Sequence, residues 1–261
     1  MNLEHLQRHY PLWRGTSLSL QNDSLSTGYS HLDSTLKIGG WPASGLLEML
    51  MERPGIQELS LLMPAVAQHL KKEQRVAFVG MPYQLFPSTL RSFGISPQQV
   101  WCIQTNKIEE QLWATQQLLK SGHCLMVITW QVNQRVDTSK LRRLQVAAKD
   151  GKSCGVVFRH SQFLSEPSPA MMRVRLQGKA MGGLTVKVIK QPGNFAGQQV
   201  IIPNRLMEKI QLQNRELPVY IKDRDKLNVN SAISTDNEAS SAWTAVGDSD
   251  VLQEQDIKDF F

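Results

Sequence analysis

The sequence contains no long hydrophobic run and few cysteines. No apolar stretch reaches the roughly 18 residues that a membrane-spanning helix needs, and the N-terminal residues lack the apolar block of a signal peptide, so a cytoplasmic protein is predicted. The three cysteines, Cys102, Cys124 and Cys154, lie far apart in apolar runs, which favours buried thiols over a disulfide. The six histidines show no metal-ligand spacing, and no metal site is predicted.

Positive charge is concentrated in one part of the chain. Residues 135–234 contain 18 Lys and Arg against 7 Asp and Glu, whereas residues 1–134 contain 10 against 9. Residues 235–261 contain 7 acids and a single lysine. A basic region followed by an acidic tail indicates a surface that faces a polyanion, next to a segment that interacts with a partner.

The hydrophobic pattern predicts an α/β fold. Between residues 46 and 159, short apolar runs alternate with segments of helical periodicity, which is typical of a mostly parallel sheet flanked by helices. Residues 172–177 and 184–190 instead alternate with period two around Gly182-Gly183. This second pattern predicts a C-terminal β-hairpin with one apolar and one cationic face.

The same pattern divides the chain into four parts. We expect an N-terminal arm at residues 1–26 and a core at residues 27–193. An irregular extension with one short helix is expected at residues 194–227, and a disordered acidic tail at residues 228–261, where Ser, Asn, Asp and Ala dominate.

A loop between a strand and a helix carries the main functional question. A phosphate-binding loop needs several glycines, a lysine for the outer phosphates and a hydroxyl group for magnesium. Here Gly55 is the single glycine, Pro54 has no N–H to donate, and Gln57 and Glu58 stand in place of the lysine and the hydroxyl residue. We predict a degenerate nucleotide loop without a bound nucleotide. It consists of Glu52, Arg53, Pro54, Gly55, Gln57 and Glu58. The alternative, an ordinary turn that never bound phosphate, predicts the same absence of ATP.

A second group needed for phosphoryl transfer is also missing. The apolar strand that begins at Leu125 ends in Thr129-Trp130. An ATPase with a phosphate-binding loop would place a carboxylate there to position magnesium and water. His123 and Cys124 are adjacent, but no acid accompanies them, so packing at a helix end is favoured over a catalytic pair. We therefore predict no catalytic residues, no cofactor and no enzymatic activity.

Cationic side chains are predicted to form the polyanion-binding surface. Four follow the predicted helix cap Asp137, and four lie on the hairpin. They are Lys140, Arg142, Arg143, Lys149, Arg173, Arg175, Lys187 and Lys190. The alternative is a solvated face without a ligand. Few aromatic residues lie among them, so phosphate contact is favoured over base stacking.

The C-terminal end is a predicted partner-binding tail. Five acids lie between Asp248 and Asp259, and the chain as given closes on two phenylalanines. Such segments suit weak docking into a basic pocket with an apolar floor on a partner, and they also shield a basic surface of the same chain. The residues involved would be Asp256, Ile257, Asp259, Phe260 and Phe261. The alternative is a tail that only aids solubility.

Six segments follow one another along residues 13–193. They are Trp13-Arg14-Gly15, the segment 27–45 with Thr27, Gly28, Leu32 and Asp33, the degenerate loop, Arg142 to Ala148, Ala170 to Arg175, and Gly182-Gly183-Leu184. In this order they resemble the ImuA family, whose members have a RecA-like core. The region from Arg142 to Ala148 is also similar in the division inhibitor SulA.

The resemblance implies an accessory role in SOS-induced translesion DNA synthesis and mutagenesis. The implied partners are an ImuB-like Y-family polymerase relative, RecA, an error-prone replicative-type DNA polymerase and, as a further expectation, DNA. No membrane is implied. Two alternatives stay open: a SulA-like inhibitor that binds the division protein FtsZ, and an ATP-dependent RecA-type recombinase.

Overall fold

A computed structural model describes residues 24–105, 107–132, 135–179, 182–193 and 196–204. Strands β1 (Ser24–Leu25) and β2 (Trp41–Pro42) form a small antiparallel ribbon. The remaining strands are β3 (Gly45–Met51), β4 (Arg75–Val79), β5 (Val100–Ile103), β6 (Cys124–Gln131), β7 (Cys154–His160), β8 (Met172–Gly178), β9 (Leu184–Lys190) and β10 (Gln199–Ile202). They form one eight-stranded sheet in the order β10-β9-β8-β3-β7-β6-β4-β5.

The sheet is mostly parallel, as the sequence predicts. Strand β3 pairs in parallel with β7 on one side and with β8 on the other, and β7, β6, β4 and β5 continue in parallel. Strands β8, β9 and β10 are antiparallel to one another. All seven residues of β3 are buried because helices or connecting segments cover both faces of the sheet.

Five helices lie within the described residues: α1 (Ser30–Thr35), α2 (Glu58–His69), α3 (Pro87–Ser92), α4 (Ile108–Ser121) and α5 (Thr138–Asp150). Short 3₁₀ turns occupy Pro97–Gln99 and Ser161–Ser165. Helix α4 ends at Gly122, whose φ of 73° is in the left-handed region that glycine tolerates best. Asp137 precedes α5 as predicted, but its side chain makes no capping hydrogen bond. No described helix is long and apolar enough to cross a membrane.

The core has one apolar layer on each face of the sheet. Leu47, Met49 and Met51 belong to the first layer, which includes residues of α1 and α2. Leu46 belongs to the second layer, which includes residues of α4 and α5. Alternation along β3 therefore sends successive side chains to opposite faces.

The segment before β3 is held by a carboxylate. Asp33 accepts hydrogen bonds from the Ser26 hydroxyl at 2.7 Å and from the Thr27 N–H at 2.8 Å. Gly28 has a φ of +78°, and a Cβ there would lie 2.6 Å from Cβ of Pro64 in α2. Thr27, Gly28, Leu32 and Asp33 thus contribute to a tight turn that packs against α2.

Strand β10 differs from the irregular extension predicted at residues 194–227. Val200 pairs with Val186 and Ile202 with Leu184, so residues 199–202 extend the sheet antiparallel to β9. The sequence signal is weak because four residues followed directly by Pro203 show little alternation. The predicted arm before residue 24, the helix after residue 204 and the acidic tail lie outside the described residues.

Candidate functional site

The degenerate loop has the course of a phosphate loop. It leaves the carboxyl end of the buried strand β3 and leads directly into α2. Gly55 and Gln57 have φ values of 87° and 73°, so both adopt left-handed backbone conformations. Nothing lies within 4 Å of a Cβ built at Gly55, and glycine is therefore favoured here by its backbone conformation alone.

The carboxylate of Glu58 fills this loop. The Gly55 N–H lies 3.1 Å from each of its two oxygens, and the Tyr83 hydroxyl donates to Oε1 at 2.9 Å. The Trp130 indole N–H donates to the same oxygen at 3.4 Å. Glu58 is the first residue of α2 and is 1% exposed. The negative charge that this type of loop normally takes from a ligand is thus supplied by the chain itself, at the positive end of a helix dipole.

The two aromatic residues that donate to the Glu58 carboxylate also pack against each other. Trp130 packs edge-on against Tyr83 with ring centroids 5.8 Å apart, and it contacts Phe158 at 5.0 Å. Burial, together with the neighbouring Glu58 charge, raises the pKa of the Tyr83 hydroxyl. Tyr83 therefore stays protonated at neutral pH and donates to the carboxylate. Trp130 stands at the position where the sequence analysis looked for a magnesium carboxylate.

The other loop residues face outward or are half-buried. Glu52, Arg53 and Gly55 are exposed, while Pro54 and Gln57 are half-buried. Glu52 forms a 3.6 Å ion pair with Arg175. No group of three His, Cys, Asp or Glu side chains that could hold a metal is found in the described part of the chain.

Helix α5 presents exposed cationic side chains. Arg142, Arg143 and Lys149 are exposed, and none of them forms an ion pair with any residue the structure describes. Lys140 is different, because its ammonium lies 2.5 Å from the Glu109 carboxylate of α4. Three of the four predicted cations on this helix are therefore available to a ligand.

The hairpin cations are only partly available. Lys187 and Lys190 are exposed, whereas Arg175 is half-buried beside Glu52. Lys190 donates a 2.9 Å hydrogen bond to the Ser168 carbonyl. Partial burial and, as a smaller cause, the nearby Arg173 charge lower the pKa of its ammonium. Alternation along β8 and β9 directs Arg175 and Lys187 to the face of the sheet that α5 covers.

Arg173 does not belong to that surface. Its guanidinium is buried and donates from Nε to Glu48 Oε2 at 2.8 Å. It also donates hydrogen bonds to the backbone carbonyls of Phe163 and Glu166. Strand alternation predicts an exposed Arg173, because it gives the face of the sheet but not the segment that covers that face. This side chain is an internal ion-pair partner.

Sequence reasoning also missed the buried cluster around Glu48. Arg159 Nη1 donates to Glu48 Oε1 at 2.7 Å, and Arg159 Nη2 reaches Val136 O at 3.2 Å and Glu166 Oε2 at 3.3 Å. Glu48 is 0% exposed and Arg159 is 1% exposed. The available signal was one glutamate in an otherwise apolar strand, since a fully buried carboxylate needs a charged partner.

The cysteines and the C-terminal tail are the remaining residues for which the sequence made a prediction. Cys124 and Cys154 are buried and Cys102 is half-buried, and none of the three forms a disulfide. Burial raises the pKa of the Cys124 and Cys154 thiols to about 12. The predicted partner-binding tail lies outside the described residues.

Comparison with known proteins identifies a single family. The model of the RecA N-terminal domain matches residues 12–148. The chain is 31% identical over 115 residues to the RecA protein of Clostridium botulinum strain Eklund 17B, covering 44% of this chain and 32% of that protein. It is 30% identical over 128 residues to RecA of Rickettsia canadensis, covering 49% and 37%. The match to RecA of Borrelia hermsii is 25% over 107 residues, covering 41% and 30%. The chain thus spans about a third of the length of these relatives.

Proposed function

Because the chain belongs to the RecA N-terminal domain family, we propose that it is a non-catalytic relative that serves as an accessory scaffold. Its process would be SOS-induced translesion DNA synthesis and mutagenesis, as in the ImuA family. Its partners would be RecA, an ImuB-like Y-family polymerase relative and an error-prone replicative-type polymerase. DNA would be a further ligand of the cationic surface.

One observation carries the non-catalytic part of this proposal. Glu58 occupies the loop and accepts the Gly55 N–H, so a triphosphate would have to displace or approach a buried carboxylate. At a separation of about 4 Å, like charges repel by several kcal/mol in a partly buried site. The lysine that would offset this repulsion is replaced by Gln57.

The scaffold part is supported by what the fold retains. The sheet carries an apolar layer on each face, and Glu58 makes the contact with the Gly55 N–H, at the start of α2, that a phosphate would make. Arg142, Arg143 and Lys149 of α5, with Lys187 of β9, offer an exposed cationic face. Such a face suits the phosphate backbone of DNA, whose binding is dominated by charge.

Isothermal titration calorimetry with ATP and Mg²⁺ tests the non-catalytic assignment. The full chain should give no binding heat, while a RecA protein titrated alongside should bind. Tight ATP binding by the chain would overturn the proposal in favour of an ATP-dependent recombinase.

Affinity capture tests the proposed partners. The purified full chain is immobilised and exposed to extracts from cells before and after DNA damage, and RecA and an ImuB-like protein should be retained after damage. The variant with Phe260→Ala and Phe261→Ala provides the matched control for the tail. Retention of FtsZ without RecA would instead favour a SulA-like division inhibitor.

A further inference from the structure

A groove between α4 and α5 has the features of a binding site for an aromatic side chain. This open groove has a volume of about 310 Å³ and is lined by Leu112, Trp113 and Leu144, with the cations Lys140 and Arg143 and the acid Glu109 beside them. Leu112 and Leu144 are 7% and 1% exposed and form an apolar floor. Trp113 is 40% exposed, so part of its large aromatic side chain is open to solvent. The volume is at the small end of the range of ligand pockets, about 300–1,000 Å³.

The charges at the groove favour an acidic ligand. Lys140 is already paired with Glu109, whereas Arg143 has no carboxylate partner among the residues that the structure describes. A carboxylate beside an inserted aromatic ring would meet the free Arg143 guanidinium, which forms strong charge-assisted hydrogen bonds. The ring itself would pack against the Trp113 indole. The site thus fits a segment in which an acid adjoins an aromatic residue.

The chain contains such a segment in its own sequence. Asp259 is followed by Phe260 and Phe261, and residues 235–261 hold seven acids against one lysine. Fifty residues separate Asn204 from Gln255. A linker of this length spans roughly 35–42 Å even as a random coil. That distance is comparable with the diameter of a domain of this size, about 40 Å, so the segment can reach the groove.

We propose that the groove between α4 and α5 binds the C-terminal segment Gln255–Phe261 of the same chain. A phenylalanine ring enters the pocket beside Trp113, and Asp259 pairs with Arg143. The site is separate from the Glu58 loop. ATP binding at that loop would overturn the proposed function and leave this assignment unaffected.

Photo-crosslinking of the full chain tests the proposal. p-Benzoylphenylalanine replaces Phe260, and the products are digested with trypsin and sequenced by mass spectrometry. Cross-links should fall in the peptides 108–120 and 144–149, which contain Trp113 and Leu144. An equimolar mixture of ¹⁵N-labelled and unlabelled chains should give products of one isotope. Mixed-isotope products would identify a second copy as the occupant and overturn the proposal.

Point variants separate groove binding from chance proximity. Arg143→Glu replaces an attraction by a repulsion and should lower the cross-link yield about tenfold, the effect of about 1.4 kcal/mol. Trp113→Ala should also lower the yield, and its circular dichroism will show whether the fold is kept. Arg91→Glu makes the same charge change on α3, away from the groove and from the cationic face, and should leave the yield unchanged. Cross-links at other surfaces, an absence of cross-links, or equal yields in the Arg143→Glu variant would overturn the proposal.

Discussion

Arg173 Nε donates a 2.8 Å hydrogen bond to Glu48 Oε2, although 125 residues separate the two in the chain. Arg159 lies on β7, on the other side of β3, and its Nη1 donates to the second carboxylate oxygen, Glu48 Oε1, at 2.7 Å. Glu48 thus joins β7 and β8 to β3 through charges that water does not reach. Such a cluster is costly to bury and more costly to leave incomplete.

Replacing Glu48 by Gln should destabilise the protein severely. The substitution keeps the side chain's size but leaves two buried guanidinium groups without their shared anion, and the expected loss is about 3–5 kcal/mol in the free energy of unfolding. Urea unfolding followed by circular dichroism measures it. The control is Glu52→Gln, which removes an exposed partner of Arg175 and should cost less than about 1 kcal/mol. Similar losses in both variants would contradict a special role for Glu48.

Replacing Glu58 by Gln should weaken the protein without creating an ATP site. The amide group would direct an N–H toward the Gly55 N–H, since that donor lies 3.1 Å from both carboxylate oxygens. An unsatisfied buried donor costs about 1–3 kcal/mol. Urea unfolding gives the stability, and calorimetry with ATP and Mg²⁺ should remain flat because no lysine is present to hold the phosphates. The exposed Glu73→Gln variant serves as the control. Unchanged stability in the Glu58 variant would refute the loop-filling role.

Charge reversal on the cationic face should weaken DNA binding and reduce its salt dependence. The combined variant Arg142→Glu, Arg143→Glu and Lys187→Glu removes three exposed cations. Each lost phosphate contact should reduce the slope of log affinity against log salt by about 0.9 for duplex DNA. Fluorescence anisotropy with a labelled duplex at several salt concentrations measures both quantities.

The matched control for that experiment carries the same charge change elsewhere. Lys71, Lys72 and Arg91 are exposed and lie in the segment after α2 and in α3. Reversing these three charges lowers the net charge equally but leaves α5 and β9 intact. Equal weakening by both triple variants would show that only net charge matters, and no weakening in the first would leave those cations as solvated surface.

The buried cysteines should make the protein less stable at alkaline pH. Burial raises the pKa of Cys124 and of Cys154 to about 12, whereas a thiol in the unfolded chain has a pKa near 8.5. Between these values the unfolded chain loses protons that the folded chain keeps. Each thiol therefore lowers the free energy of unfolding by about 1.4 kcal/mol per pH unit, with no effect below pH 8.

Urea unfolding between pH 7 and pH 11 checks this dependence. Cys154→Ala should show a shallower fall in stability with pH than the unchanged protein, whatever its absolute stability. Val157→Ala is the control, because it shortens a buried side chain of the same strand and leaves both buried thiols in place. Equal slopes in all three proteins would contradict the raised thiol pKa.

The local hydrophobic pattern of the sequence predicted the strands and helices of the core. The alternation of apolar runs and helical segments between residues 46 and 159 corresponds to strands β3 to β7 and the helices between them, because periodicity is encoded within a few residues. The parallel sheet followed from the same signals. Strand β10 was not predicted, since its four residues become a strand only by pairing with β9.

The site depended more on distant parts of the chain. The sequence gives the absence of a lysine and of a hydroxyl group in the loop, but not that Glu58 turns inward to meet Tyr83 and Trp130. It likewise gives the strand face of Arg173, but not the covering segment at residues 161–166. Contacts between residues far apart in sequence decided both outcomes.

The central position of β3 has a consequence for how the protein is made. This strand is synthesised before both of its sheet neighbours, β7 and β8, which begin more than 100 residues later, at Cys154 and Met172. At a synthesis rate of about 5–20 residues per second, its backbone and Glu48 wait several seconds for their partners. Non-local pairing of this kind also slows folding. The nascent chain is therefore open to aggregation and to chaperone binding until β8 has left the ribosome.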